Sequence, residues 1–286
     1  MAFSDLQLKV ASEAALQAVY PDLVRLQDFA HTYSELEDRK GAAIVIPTFD
    51  LSAAADFEAG TNQYDSGVNE IEAATLTLDK HLVKSVAITD RDLVETDVQW
   101  VKDASIGIAR VLGRGLNSYV FGIMNDTNLP LSATLNVGTK AQIANLYKVA
   151  AENGLDVNDS IVVLNPESFA AVLAQLPANE YNGPEAVRYG YIPGLFGFVS
   201  FVCSTYLPEG VKGVIINRNT VGIASRYLPP MPGAYPNAFK ATDPDSGFTI
   251  GFREFADLGS GKRFLAGECL CGAKIFWNGT KAVRLV

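Results

Sequence analysis

Cys269 and Cys271, one residue apart, are the first residues whose type and spacing could hold a metal. A tetrahedral zinc site needs about four ligands. The chain offers one further cysteine, Cys203, and two histidines, His31 and His81. On a strand, both thiols share one face and read as small buried residues. A disulfide between them would be strained, because strand residues two apart lie about 6.5–7 Å apart at Cα. Asp243-Pro-Asp245-Ser-Gly247 opens like a calcium loop, with Glu254 at its twelfth position. Its glycine stands fifth where such a loop needs it sixth, and residues 248–253 alternate as a strand. A turn is expected there.

Catalytic signatures are missing. The sequence has no G-x-x-x-x-G-K-[ST], no G-x-G-x-x-G and no G-x-S-x-G. With two histidines, acid–base chemistry would fall to carboxylates. Asp50, Asp56, Glu58, Asp65 and Glu70 recur in one polar stretch, which reads as a solvated loop. Asn278-Gly-Thr280 fits a glycosylation sequon but reads as a hairpin turn. No catalytic, cofactor-binding or metal-binding residue is assigned. A carboxylate-based hydrolase is the enzyme reading left, and it lacks convergent titratable groups.

Composition narrows the class further. The 286 residues are 48% hydrophobic, enough for a substantial core, and carry a net charge of -9. An acidic chain without a Lys/Arg cluster in its sequence is poorly suited to gripping nucleic acid. Residues 1–20 lack a basic start and a continuous apolar run, so no secretory signal is expected. No stretch approaches the roughly 20 apolar residues that cross a bilayer. Three cysteines suit a reducing compartment.

The elements that would position any site follow from periodicity. Residues 1–40 read as an arm, with helical patterns at 4–18 and 22–30, too short to bury its own apolar face. Residues 42–49 form a strand in which Pro47 demands an edge or bulge. The polar connection 50–69 leads into a long strand. There Leu76, Leu78, Leu82, Val86 and Ile88 share one face with Lys80 and Lys84. Residues 41–88 thus form an extended hairpin. Residues 89–124 carry the longest helical pattern, with Gly107, Gly113 and Gly115 weakening it and a bend expected near 113–115. Residues 125–233 read as a mixed α/β unit: helices at 138–153 and 166–175, strands at 160–165, 198–203, 213–217 and 220–226. Residues 234–286 return as strands, with a hairpin turn at Asn278-Gly279. The fold class is α+β.

This order of parts resembles major capsid proteins of the Hong Kong 97-type fold. The segment Leu76–Leu93 (LTLDKHLVKSVAITDRDL) resembles the passage from hairpin into spine helix in the P22-like coat branch. Gly194–Val199 (GLFGFV) resembles the axial domain of such coats. The resemblance implies an N-terminal arm, an extended hairpin, a peripheral domain with a long spine helix, and an axial α/β domain. It implies a structural, non-enzymatic coat protein forming pentamers and hexamers of an icosahedral shell around double-stranded DNA. The DNA would be contacted only weakly. Assembly would occur in the host cytoplasm, and the protein would end in the virion capsid. The arm leaves no room for a fused scaffold, so a separate scaffolding protein is expected, and no membrane or cofactor. An encapsulin-like cellular compartment is the alternative with the same fold. Subunit contacts are assigned to Leu76, Leu78, Lys80, Leu82 and Lys84 on the strand, and to Asp56 and Glu58 in the connection. Some relatives crosslink a hairpin lysine to a neighbour's asparagine. Residues 50–69 hold no lysine, so that chemistry is not expected.

Overall fold

The computed structural model describes residues 13–15, 26, 30–33, 43–49, 71–89, 100–176, 191–229, 237–242, 248–257, 259 and 261–286. The expected connection 50–69, the start of the long helix, the Pro/Gly-rich boundary and the Asp243–Gly247 turn lie outside them. So does most of the arm. Along the chain run β1 (Ala30–Thr32), β2 (Ala43–Phe49), β3 (Ile71–Thr77), β4 (Lys80–Thr89), α1 (Trp100–Gly122), β5 (Ser132–Ala133), α2 (Lys140–Glu152) and β6 (Ser160–Leu164). Then come α3 (Pro166–Gln175), β7 (Tyr191–Pro193), β8 (Ser200–Cys203), β9 (Gly213–Asn217), β10 (Val221–Arg226), β11 (Asn237–Thr242), β12 (Thr249–Asp257), β13 (Lys262–Ile275) and β14 (Ala282–Leu285). Among the described residues no helix is long and apolar enough to cross a membrane.

Helix α1 organises the molecule. Val101, Ile108, Leu112, Leu116 and Val120 recur at three- and four-residue steps and are buried, the apolar stripe of a helix lying on a core. Its 23 residues span roughly 34 Å at about 1.5 Å per residue. It runs as one helix through all three glycines.

The stripe lies on a sheet ordered β1-β10-β13-β12-β11, with β4 also pairing β13. Strands β4 and β12 pair the same stretch of β13, Lys262–Glu268, so they flank it on opposite sides. Leu265, Cys269 and Cys271 of β13 enter the core with the stripe. A Cβ on Gly267 would collide with Ile108 Cγ2 and approach Leu112 Cδ1 to 3.3 Å. The missing side chain is therefore what lets helix and strand close.

The second sheet is ordered β5-β14-β9-β6-β8-β7. Every residue of β6 is buried, as expected for a strand covered on both faces. Ile161 and Val163 join α1 in one cluster, while Val162 and Leu164 pack with Ile143 of α2 and Phe169 of α3 in another. Period-two alternation thus feeds two cores from one strand. Helix α2 is capped by Thr139, whose side chain accepts from the Gln142 amide. Helix α3 is capped by Asn165, accepting from Ser168, with Pro166 in the first turn.

Three expectations change. The single long strand is two, broken at Leu78–Asp79, because its partner changes there from β2 to β13. Strand β10, expected in the α/β unit, pairs β13 antiparallel and β1 parallel. Finally, Asn278-Gly279 does not close a hairpin. Asn278 and Gly279 do take left-handed backbone, with φ of 49° and 75°. The chain nevertheless crosses to the second sheet, where β14 pairs β9 and β5. Ala282, Val283 and Leu285 are fully buried there, and that burial decides the pairing. Strand β11 was not expected at all.

Candidate assembly surface

The hairpin β2–β3 forms a sheet of its own, in antiparallel register from Ala43↔Thr77 to Phe49↔Ile71. Pro47 sits on β2, which pairs no strand but β3, the edge position a proline needs. Val45 on this strand is 65% exposed. The root of the hairpin is tied down. Ile46 and Leu76 pack with Ala224 and Phe276. Gly272 faces the Thr77 carbonyl so closely that any Cβ would strike it.

The break at Leu78–Asp79 is held from the helix side. The Tyr119 hydroxyl donates to Asp79 Oδ1 at 2.6 Å and accepts from the Ala273 amide at 3.4 Å. Burial, then the hydrogen bond to Asp79, push the Tyr119 phenol well above its ordinary range. Lys80 Nζ lies 5.8 Å from the Tyr119 ring centroid, within cation–π range. One tyrosine thus fixes where the hairpin ends and the sheet begins. Tyr119→Phe should lower stability by about 1 kcal/mol, seen as a fall in melting temperature of roughly 2–4 °C. Asp79→Asn, which keeps an acceptor, should cost less in the same melting experiment.

The expected contact residues divide between inside and outside. Leu76 is fully buried in its own subunit, which removes it from a surface that meets another chain. Leu82 lies against α1, 3.4 Å from where a Cβ of Gly115 would stand. Leu78 is half-buried, and Lys80 and Lys84 are exposed. This parity therefore faces the subunit's own helix, with its two lysines emerging at the rim. Asp56 and Glu58 lie outside the described residues. On the opposite parity Val83 is 56% exposed. The sequence reading missed it because leucines outweighed a lone valine.

The residues that could do chemistry are placed otherwise. Cys203, Cys269 and Cys271 are free thiols. The hydrogen bond with Cys271, and then burial, push the Cys269 thiol up, so it stays protonated and inert. His31 stacks edge-on with Tyr33, ring centroids 4.6 Å apart. His81 Nε2 lies 3.3 Å from Glu268 Oε2. Glu268 also pairs with Arg253, whose Nη2 donates to the Leu228 carbonyl at 2.8 Å. This chain of groups ties β4, β13 and β12 across one sheet face. Glu254 is buried in the β12 ladder. Among the described residues no group of three or more His, Cys, Asp or Glu could hold a metal ion.

A projecting hairpin, a long helix across a sheet and an α/β unit behind it also occur together in solved structures. The capsid subunit of an empty GTA particle superposes with a TM-score of 0.61 at 13% identity, over 91% of this chain and 88% of its own. The chain has a capsid-protein fold. The subunit of a virus-like particle from Pyrococcus furiosus gives a TM-score of 0.60 at 12% identity, covering 98% of this chain and 99% of its own. A chain of Mycobacterium phage Che8 gives 0.52 at 16% identity, over 88% and 87%. No protein-family model matches the sequence, and no curated protein matches it either. The capsid-type fold thus rests on structure alone.

Proposed function

We propose that this chain is the major coat protein of a tailed-phage particle, of Hong Kong 97 type. Many copies form pentamers and hexamers of an icosahedral shell around double-stranded DNA, assembled in the host cytoplasm with a separate scaffolding protein. Its role is structural. In this reading 1–40 is the arm, 41–88 the extended hairpin, and α1 the spine of the peripheral domain. The second sheet with α2 and α3 is the axial domain, and β10–β13 return to the periphery. Residues 76–93 carry the assignment to the P22-like branch.

One observation carries the reading. Strands β2 and β3 pair only with each other and leave Val45 in water. A two-stranded ribbon is marginal in water by itself. Burial against further subunits supplies what the ribbon lacks.

Deleting residues 52–68 and closing the chain with a short Gly-containing turn tests this. The expected product is a soluble subunit with near-wild-type circular dichroism that sediments without shells. Unfolding on deletion would place the segment in the subunit core. Normal shells would remove the hairpin from assembly, and with it the physical basis of the reading. An encapsulin-like compartment is the second reading. It draws on the match to the virus-like particle, in which each chain is covered almost end to end. Purified particles separate the two: DNA inside supports the phage coat, and protein cargo supports the compartment.

A further inference from the structure

Four cations from two separate stretches of the chain meet beside the outer edge of β4. Arg110 and Arg114 stand one turn apart on the exposed side of α1. Lys80 and Lys84 stand on the strand face that Leu82 and Lys80 turn toward that helix. The only carboxylate on α1 is Asp103, and β4 has none. No carboxylate among the described residues pairs with Arg110, Arg114 or Lys84. Between the cations, Val111 and Val86 are 45% and 37% exposed. Gly107 has no atom within 4 Å of where its Cβ would lie, which leaves the surface flat. Beside this strip runs the edge of β4, ten residues long and paired only on its β13 side. Lysines on such an edge discourage random strand pairing, but that does not account for two arginines on the neighbouring helix.

We propose that this strip receives residues 50–70 of a second copy, laid along the β4 edge as an extended acidic segment. The inference rests on the coat-protein reading and names the surface that the hairpin tip meets. The segment carries five carboxylates, Asp50, Asp56, Glu58, Asp65 and Glu70, with no Lys, Arg or His. It also holds Leu51, Phe57 and Val68 for the exposed valines. Its charge complements the strip within a chain whose net charge of -9 otherwise drives copies apart. Strands β4 and β3 follow β13 in turn, β4 from Lys262 to Cys271 and β3 passing Gly272. The tip therefore emerges at the end of the ribbon remote from Lys84, so the acceptor lies on another subunit. Edge addition supplies backbone hydrogen bonds and the cations supply register.

Titrating a synthetic peptide of residues 50–70 onto the unassembled full-length subunit tests the contact directly. Affinity should fall at least tenfold from 50 to 300 mM NaCl. It should fall at least tenfold again in the variant carrying Arg110→Glu, Arg114→Glu and Lys84→Glu. That variant should also assemble at least tenfold more slowly, and adding Asp56→Lys, Glu58→Lys and Asp65→Lys should restore assembly. If the triple glutamate variant does not fold, the triple glutamine variant takes its place. Wild-type binding or assembly after reversal overturns the proposal, as does failure of the charge swap. So does equal binding of a scrambled peptide, or tighter binding of a short DNA duplex to the strip. Shells that persist after reversal but vanish on deleting 52–68 overturn this contact and leave the coat reading intact. Peptide binding lost on reversal, in a protein that never forms shells, keeps the contact and overturns the coat reading.

Discussion

Leu112→Pro should leave no folded subunit. Leu112 lies mid-way along α1 and is 2% exposed. Proline there removes the hydrogen bond to the Ile108 carbonyl and pushes its ring into that turn, at a cost of about 3 kcal/mol or more. Loss of the leucine from the core adds roughly 2–5 kcal/mol. Together these rival the whole stability of an ordinary domain, about 5–15 kcal/mol. Both sheets lean on α1 through one cluster, so loss should be global. Far-ultraviolet circular dichroism should show a collapsed signal and soluble yield should fall to near zero. A cooperative melt near the wild-type temperature would mean that α1 is not the common support.

Gly272→Ala should act through the root of the hairpin. The new methyl would meet the Thr77 carbonyl oxygen, the Thr77 carbonyl carbon at 2.9 Å and Leu78 Cα at 3.2 Å. All three are backbone atoms, so no rotamer can move aside. Overpacking of this kind costs about 3 kcal/mol, which corresponds to a melting temperature roughly 6–12 °C lower. Assembly should suffer beyond that, because the ribbon leaves the body at this point. Gly107→Ala, with open space around it, is the matched control and should stabilise the helix by up to about 1 kcal/mol. If both variants melt alike, the close approach at Thr77 is not structural.

The sequence carried most of the elements and little of their pairing. The stripe from Val101 to Val120 and the apolar run Ser160–Leu164 were legible because burial writes a period into one stretch of chain. The break at Leu78–Asp79 was not, because period two continues unchanged when a strand exchanges one partner for another. The crossing of β14 hid behind Asn278-Gly279, whose left-handed backbone is real but says nothing about which sheet follows. The basic strip was invisible for a related reason. Lys84 and Arg110 are distant in sequence, and only the packing of β4 on α1 gathers them. Leu76 shows the converse error. Alternation gave it a face, and the fold turned that face inward against Phe276.

The placement of β14 also dictates an order of events during synthesis. Strand β9 waits between β6 and a neighbour that the ribosome supplies only with residues 282–285. Strand β1 waits for residues 221–223 in the same way. Until those residues emerge, both sheets have an open flank, and a nascent chain with open flanks pairs readily with the wrong strand. Pairings this distant also close slowly. The newly released subunit is therefore most exposed to mispairing just before translation of this stretch ends, when a chaperone that shields strand edges would have its largest effect on yield.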